Sequence, residues 1–466
     1  MPSRPRLRTA ICAVVLLAVA APAGAGPLES AIPPGLRFAA PVDGVLTKPA
    51  PTGPDARAMR GVLSNAARWI ATAWWASQGS DLPRLVADAD LMTPVKCERA
   101  AMAAYTLAVA LTTGAFDPTA TGVTPQEAAA RARQVLTTLA RTHRAADPRG
   151  WGHTWQSALW AALGAHAAWL LGPALSDVDR LLVARMLESE ADAVVARPMH
   201  HLRDRSGRLR TPGNTGAEEL AWDGMVLQVG VSLLPAHAHR ALWADAAHRR
   251  MVNAFARPQD VRDRRVVNGR RVTDWLAGSN AEPSGLVVNH GRVFPDYSTT
   301  INENLFAVTV YPLVGLAVPD AARYNVDVVY AALSTVGLHG PPYRAPGGTA
   351  YVRRSAEIYY PQGTVWGYRR QMCFAALDVQ VAALDLDRLS PVPARVWARR
   401  HLGVVRAMQA RFPDGHTFAR GEDRFWLQEE WIGMQSAMAY MTQWVSSHRL
   451  VRWHNRPGVV ASAPAA

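Results

Sequence analysis

Hydrophobic residues recur at three- and four-residue spacing along most of the chain, which is the pattern of helices that bury one face. The spacing predicts about twelve helices, over residues 55–78, 85–113, 124–143, 153–171, 176–195, 216–234, 239–256, 299–316, 319–338, 366–384, 393–411 and 426–448. Strand patterns are few, at 286–288 and at 264–267, where Asn268-Gly269 predicts a hairpin turn. The pattern therefore predicts an all-α protein.

Two of the predicted helices begin with recognisable capping residues. Thr124 is followed by Pro125 and then by Glu127, which combines a capping box with proline at the first helical position. Ser176 precedes Asp179 at the same spacing. These residues place the starts of two helices.

The helices are joined mainly by short loops, which predicts antiparallel helix pairs. No repeat period of about 30 to 50 residues is visible, and this favours a closed (α/α)6-type toroid over a linear solenoid. No long linker or low-complexity tract divides the sequence. We therefore expect one helical domain over 55–450, preceded by a proline-rich irregular arm over 26–54 and followed by a flexible tail over 451–466.

The N-terminus has the build of a secretory signal peptide. Three arginines precede an apolar run over 10–21, and small residues end at Ala23-Gly24-Ala25. We predict cleavage after residue 25 and a secreted or periplasmic protein. No later stretch reaches the roughly 18 apolar residues of a transmembrane helix, so no stable membrane insertion is expected.

The formal charge of the whole chain is +13 and its pI is about 10.3. The positive residues are mainly arginines scattered without a basic helix or an RNA-binding aromatic signature, so nucleic acid is not a predicted partner. An acidic polysaccharide is the partner that a secreted basic protein suggests. The alternative is an arginine bias that reflects a GC-rich genome, and the oligomeric state is left open.

Cofactor motifs are absent from the sequence. No nucleotide loop, haem motif or zinc-type spacing occurs, which predicts no organic cofactor. A divalent cation held by Glu219 and Asp223 stays an alternative, because oxygen ligands leave little trace in a sequence. The pattern leaves open whether Cys97 and Cys373 form a disulfide.

The first polar cluster spans residues 213–223. Glu219 and Asp223 lie four residues apart on one face of a predicted helix, and neither has a basic partner within that helix. Each carboxylate therefore needs a partner from outside the helix. The alternative is that Glu218 and Glu219 complement the positive N-terminus of the helix after Asn214.

The second polar cluster, over 288–297, is the most chemically dense stretch of the chain. Asn289, His290, Arg292, Asp296 and Tyr297 stand close together on a loop that Gly and Pro constrain before it enters a helix. These groups suit β-elimination of a uronic acid polymer. An amide and an imidazole neutralise the substrate carboxylate, a tyrosine removes the C5 proton, and an arginine grips a carboxylate. Asn214 offers a second amide.

The helix count, the Asn289-His290 pair and the downstream Tyr297 resemble the (α/α)-toroid polysaccharide lyases, the group that contains alginate lyases, chondroitin and hyaluronate lyases and heparinase-like enzymes. The Asn289-His290 doublet is similar to the adjacent Asn-His of toroid alginate lyases. The resemblance implies charge-neutralising roles for this pair and a base and acid role for Tyr297.

A third segment, over 353–370, mixes aromatic residues with arginines. Tyr360, Trp366 and Arg354 are candidates for a wall that binds sugar rings and carboxylates, and core packing is the alternative. Another aromatic segment, over 151–156, contains His153 and is a weaker candidate.

Two further functions stay open beside the lyase. One is an inverting glycoside hydrolase on the same toroid, with Glu219 or Asp223 paired with Asp296. The other is a noncatalytic carbohydrate-binding protein of the cell envelope.

Overall fold

The computed structural model describes residues 32–455, so the predicted signal peptide lies outside the described residues. Within that range, eleven α-helices have ten or more residues. They are α1 (Pro54–Trp69), α2 (Pro94–Thr112), α3 (Pro125–Arg141), α4 (Ser157–Leu170), α5 (Asp177–Ala196), α6 (Ala217–Leu233), α7 (Arg240–Ala254), α8 (Val326–Thr335), α9 (Gln371–Ala383), α10 (Ala394–Gln409) and α11 (Glu429–Ser447). The predicted all-α class is confirmed.

Both predicted helix caps are present. The Thr124 hydroxyl accepts a hydrogen bond from the Glu127 N–H at 3.1 Å, and the Ser176 hydroxyl accepts one from the Asp179 N–H at 3.2 Å. Each bond satisfies an N–H group that has no partner within the helix.

Two of the predicted helices are wrong in extent. The segment predicted over 85–113 is divided into a short helix, Leu82–Ala87, and α2, which begins with a proline at its first position. The segment predicted over 299–316 is a succession of short turns, with a 3-10 helix at Thr300–Phe306 and another at Tyr311–Val314. Pro312 has no N–H to donate, which prevents one continuous helix through this region.

The described strands are two residues long and form three antiparallel pairs. Strands β1 (Arg203–Asp204) and β4 (Gly278–Ser279) pair with each other. The hairpin of β2 (Val266–Val267) and β3 (Arg270–Arg271) turns at the predicted Asn268-Gly269. The hairpin of β5 (Val288–Asn289) and β6 (Arg292–Val293) carries the second polar cluster.

Six elements contact one another in a closed cycle at the centre of the molecule. Helix α2 packs against α4, α4 against α6, α6 against Thr300–Phe306, that segment against α9, α9 against α11, and α11 again against α2. Tyr105, His166 and Phe306 make aromatic contacts inside this cycle, with ring centroids 5.4 to 5.8 Å apart. Helices α1, α3, α5, α7 and α10 pack against members of the cycle, and the remaining helix α8 packs against the short helix Pro295–Thr299.

The burial of the helices follows their sequences. Helix α4 is apolar on all sides and all fourteen of its residues are buried, whereas α1, α3 and α10 bury no more than half of theirs. Helix α6 is buried except for Glu218 and Glu219 in its first turn. None of the helices within 32–455 is long and apolar enough to cross a membrane.

The segments that flank the helical body are held against it. In the N-terminal arm, the Ala39 N–H donates to Leu233 O at 2.8 Å, and Trp169 Nε1 donates to Ala39 O at 2.7 Å. At the other end, the Val318 N–H donates to Arg452 O at 2.7 Å. The first residues of the predicted flexible tail are therefore bound in place.

The two cysteines of the described chain, Cys97 and Cys373, are free thiols. Both are buried, one near the start of α2 and the other in α9.

Candidate functional site

The two polar clusters of the sequence meet in the fold. The Gly291 N–H donates to Gly213 O at 2.9 Å, and the Thr215 N–H donates to Val288 O at 3.1 Å. Gly213 has φ +74°, and a Cβ at this position would lie 2.8 Å from the Gly291 Cα. The loop that enters α6 therefore lies directly against the β5–β6 hairpin, at a distance that only glycine permits.

The β5–β6 hairpin turns through His290 and Gly291, both of which have positive φ angles, 53° and 72°. Positive φ at both central residues is the feature of a type I′ turn, whose twist matches that of the flanking strands. The turn exposes the His290 side chain while the neighbouring Asn289 is buried. A tight turn thus presents an imidazole on a backbone fixed by strand pairing.

Tyr297 lies in the short helix Pro295–Thr299 that follows the hairpin. Its hydroxyl is 2.9 Å from His290 Nε2. The Asn289 side chain lies beside this hydroxyl, and Asn289 Oδ1 accepts from the His290 N–H at 3.0 Å. The Tyr297 ring packs against Trp366, with centroids 5.1 Å apart. The three residues that the sequence singled out are therefore one hydrogen-bonded unit.

The protonation states of His290 and Tyr297 follow from their surroundings. Partial burial, with the nearby Arg292 and Arg424, lowers the pKa of His290. Burial, with the carboxyl groups of Glu218 and Glu219, raises the pKa of Tyr297. At neutral pH the imidazole is therefore neutral and the phenol protonated, so that the phenol O–H donates to Nε2.

Two glutamates, Glu218 and Glu219, lie near Tyr297, and a third, Glu303, lies near both of them. Glu218 and Glu219 are partly exposed in the first turn of α6, and Glu303 is buried in Thr300–Phe306. Burial raises the pKa of Glu218, of Glu219 and of Glu303, and the proximity of Glu219 raises that of Glu218 further. One carboxyl oxygen of Glu219 and one of Glu303 have no hydrogen-bond partner. The three glutamates, together with Asn289, His290 and Tyr297, are called the polar cluster below.

Asp223 has partners that the sequence did not reveal. Arg197 Nη1 lies 2.7 Å from Asp223 Oδ1 and Arg250 Nε lies 3.6 Å from Oδ2. Burial raises the pKa of Asp223 to about 6 despite these arginines. The partner that the carboxylate requires comes from this chain, so Asp223 is a buried ion-paired group and not a substrate or cation ligand.

Asp296, the second carboxylate of the predicted hydrolase pair, is also enclosed. Arg370 Nε lies 3.1 Å from its Oδ1, and the Tyr360 hydroxyl donates to the same oxygen at 3.4 Å. Asp296 is 3% exposed and Tyr360 is 4% exposed. Both residues therefore belong to the wall behind the polar cluster, and Tyr360 does not present a ring to a substrate.

The remaining predicted residues differ in their distance from the polar cluster. Trp366 packs against Tyr297 and His290, and Arg292 Nε donates to His290 O at 3.2 Å. Asn214 is exposed in the loop that contacts the hairpin. Arg354 is exposed on a separate turn, at a positive φ of 62°, and no contact joins it to the cluster.

The sequence assigned no role to Glu303, Glu98 or Trp155. Glu303 stands in Asn302-Glu303-Asn304, a polar run just downstream of the second polar cluster, and that run is the one signal that marks it. Glu98 is partly exposed in α2 and accepts from Trp431 Nε1 at 3.3 Å. Trp155, in the weaker aromatic segment, lies close to the Glu219 carboxylate. Helix packing brings them to the cluster, and no local pattern encodes that.

Outside the polar cluster, the described residues offer weaker candidates for a site that binds an ion or a ligand. Within residues 32–455, no three His, Cys, Asp or Glu side chains are grouped so as to hold a metal ion. A groove of about 780 Å3 is lined by residues that include Trp75, Arg131 and Asp179, but Arg131 is already paired with Glu127 at 2.6 Å.

No protein family, no curated protein and no solved structure matches this sequence and fold.

Proposed function

We propose that the protein is a secreted or periplasmic polysaccharide lyase that cleaves an acidic, uronic-acid-containing polysaccharide by β-elimination. The 2.9 Å contact between His290 Nε2 and the Tyr297 hydroxyl carries the proposal, because it joins a neutral base to a protonated phenol. The closed cycle of helix contacts supports the predicted (α/α)6 arrangement, on which the resemblance to toroid lyases rests.

The pair suits a proton relay. The Tyr297 oxygen takes the C5 proton of the uronate while its own proton passes to His290 Nε2. The electrons of the C5–H bond form the C4=C5 double bond, and the C4–O bond breaks. Tyr297 then donates its proton to the leaving oxygen and regains one from His290. The relay avoids a free phenolate, which the raised pKa of Tyr297 disfavours.

The substrate carboxylate must be neutralised for the C5 proton to become acidic. Arg292 is anchored by its Nε to the His290 carbonyl, and its other N–H groups remain for a carboxylate. The exposed amide of Asn214 lies in the loop against the same hairpin. Asn289 takes another role in this proposal, since its side chain lies beside the Tyr297 hydroxyl and orients the phenol.

A glycoside hydrolase is the second candidate. Three glutamates with raised pKa and no arginine partner are the groups from which a general acid and a general base could be drawn. These glutamates replace Asp223 and Asp296, whose carboxylates the structure pairs with arginines. The third candidate, a noncatalytic binding protein, would yield no product.

Digestion of paired polymers tests the proposal. The mature protein is screened against alginate, glucuronan, hyaluronan, chondroitin, heparin-like chains and bacterial exopolysaccharides, with each polymer also supplied in carboxyl-reduced form. We expect an unsaturated product that absorbs in the near ultraviolet, from the native polymer alone. Cleavage of the reduced polymer without that absorbance would overturn the lyase in favour of the hydrolase.

Two substitutions test the relay. His290→Ala and Tyr297→Phe are each expected to lower kcat by about 100-fold or more, the usual contribution of a proton-transferring group. His339→Ala and Tyr368→Phe are matched controls, because both residues are exposed and neither contacts the polar cluster. Wild-type turnover in either relay variant, with an unchanged thermal midpoint, would remove that residue from the mechanism.

A further inference from the structure

An exposed tryptophan stands beside the polar cluster. Trp155, just before α4, is 63% exposed, which is unusual for so large an apolar side chain. Its ring meets that of Trp222 edge to face, with centroids 5.2 Å apart, and its side chain lies close to the Glu219 carboxylate. The ring is therefore held in a fixed orientation while most of its surface remains open to a ligand.

The carboxyl groups next to this ring come from separate elements. Glu98 lies on α2, Glu218 and Glu219 on α6, and Glu303 on the Thr300–Phe306 segment. The repulsion is mutual, since Glu98 and Glu219 both act on Glu218, and Glu218 and Glu219 act on Glu303. Packing of three elements thus brings four carboxyl groups into one region of a protein whose net charge is +13.

The cationic groups around these carboxylates do not neutralise them. Arg370 faces Glu218, but it is ion-paired with Asp296 at 3.1 Å. Arg99 faces Glu98, and the exposed His200 faces Glu219. Among the described residues, no Lys, Arg or His nitrogen forms a salt bridge with these four glutamates, although such pairs are frequent elsewhere in the fold.

Glu303 gives an independent indication of a missing ligand. Its side chain is 2% exposed, and one of its carboxyl oxygens has no hydrogen-bond partner. A buried carboxyl group without a partner costs free energy, which a bound cation or donor recovers. Glu219 also has a buried carboxyl oxygen without a hydrogen-bond partner.

We propose that Trp155 and the glutamates Glu98, Glu218, Glu219 and Glu303 form a subsite for the protonated amine of an unacetylated hexosamine unit. An ammonium group offsets clustered carboxylates and is attracted to the face of a tryptophan ring, whereas a neutral sugar does only the stacking. A metal ion is a poorer fit, because no such ligand group is present within 32–455. In a lyase, as proposed above, this unit is a neighbour of the uronate.

Binding without turnover tests this subsite separately from the lyase chemistry. Glucosamine oligomers carry no carboxylate, so they cannot undergo β-elimination. Their binding to the mature protein is measured by calorimetry and by quenching of tryptophan fluorescence, beside N-acetylglucosamine oligomers of the same length. We expect the free-amine oligomers to bind at least about tenfold more tightly. Equal binding of the two, or tighter binding of the acetylated form, would overturn the subsite whatever the outcome of the polymer digestion.

Variants identify the groups responsible. Glu218→Gln and Glu98→Gln, both at partly exposed positions, are expected to reduce the preference for the free amine, and Trp155→Ala to weaken binding of both oligomers. Glu357→Gln, in an exposed loop, is the matched control and keeps the wild-type preference. A preference that survives in both glutamine variants would contradict the assignment of these carboxylates.

Proton release gives a further readout. The carboxyl groups of the subsite have raised pKa values, so an incoming ammonium group ionises them and frees protons. Calorimetry in two buffers of different ionisation enthalpy is expected to show net proton release with the glucosamine oligomers. The absence of release would contradict direct contact between the amine and these carboxylates.

Discussion

The proposed roles of His290 and Tyr297 depend on their pKa values, which are lowered for His290 and raised for Tyr297. The imidazole is exposed on a turn beside two arginines, whereas the phenol is 4% exposed and close to carboxyl groups. Each environment favours the neutral form of its residue, so the hydrogen bond joins two uncharged groups at neutral pH. In the proposed relay the phenol gives its proton to the imidazole as it takes the C5 proton, so no free phenolate forms.

Replacing Arg292 tests the electrostatic part of this relation. Arg292→Ala removes a positive charge that lowers the pKa of His290, so the midpoint of the His290 titration is expected to move to higher pH. The measurement is an NMR titration of the imidazole in the free protein, which no effect on substrate binding disturbs. Arg424→Ala is expected to act in the same direction, and Arg354→Ala, remote from His290, serves as control. A midpoint unchanged in Arg292→Ala would contradict the charge effect.

Residues that are clustered in the sequence also lie together in the structure. Asn289, His290 and Tyr297 lie within nine positions, and the structure joins them by hydrogen bonds. Asp223 and Asp296 looked equally available, but Arg250 and Arg370 approach them from other elements. A sequence shows which carboxylates lack local partners, but tertiary contacts decide which of them remain unpaired.

At the scale of elements, the site depends on one contact between a loop and a hairpin. The Gly213 carbonyl accepts from the Gly291 N–H, and the absence of a side chain at Gly213 allows the two backbones to approach. The hairpin in turn determines where His290 stands relative to Tyr297. A substitution that displaces this contact is therefore expected to change the geometry of the proposed relay without replacing His290 or Tyr297.

Gly213→Ala is expected to lower kcat/KM by about tenfold or more, because its Cβ would lie 2.8 Å from the Gly291 Cα and displace the hairpin. Gly269→Ala is the matched control. Gly269 has a similar φ of +79° in the other hairpin, but a Cβ there meets no atom within 4 Å. Both variants are expected to lose about 1 kcal/mol of stability, since both place a side chain at positive φ. Equal activity of the two variants, measured on the cleaved polymer, would show that the close approach is not required.

The helices themselves were largely predictable, because their apolar periodicity and caps are local properties. The prediction failed over 299–316, where the chain is apolar but Pro312 interrupts hydrogen bonding and the turns are of the 3-10 type. Glu303 lies in this region, and the sequence assigned no role to it. The β5–β6 turn was also missed, because histidine followed by glycine is an uncommon pair for a type I′ turn.

At the scale of the whole molecule, the closed cycle of contacts predicts that the helical body unfolds as one unit. Each of the six central elements packs against two neighbours in the cycle, so no boundary divides them into independent halves. The sequence predicted a single domain from the absence of linkers, but not the order in which the helices contact. That order depends on tertiary packing, which a pattern of apolar residues does not specify.

Because the helical body is expected to unfold as one unit, the titration of one buried carboxyl group changes the free energy of unfolding of the whole body. Glu430 is suited to such a test. It lies in the first turn of α11, is 0% exposed, and neither carboxyl oxygen has a hydrogen-bond partner. Burial raises its pKa from an ordinary value of 4.5 to about 7. Because the folded state holds this proton more tightly than the unfolded state, the wild-type protein loses stability as pH rises from about 4.5 to about 7.

Glu430→Gln removes this titration, so the stability of the variant relative to wild type is expected to rise by about 3 kcal/mol between pH 4.5 and pH 8. Denaturant unfolding at several pH values measures the difference. Glu422→Gln is the control, because the pKa of Glu422 is lowered and that of Glu430 is raised. Arg411 lowers the pKa of Glu422 to about 2, so that carboxylate stays ionised throughout the range in the folded protein. Its stability relative to wild type should therefore be constant above about pH 5. A constant difference for Glu430→Gln as well would mean that Glu430 is not buried in an ionisable form, and two separate unfolding transitions would contradict the single cooperative unit.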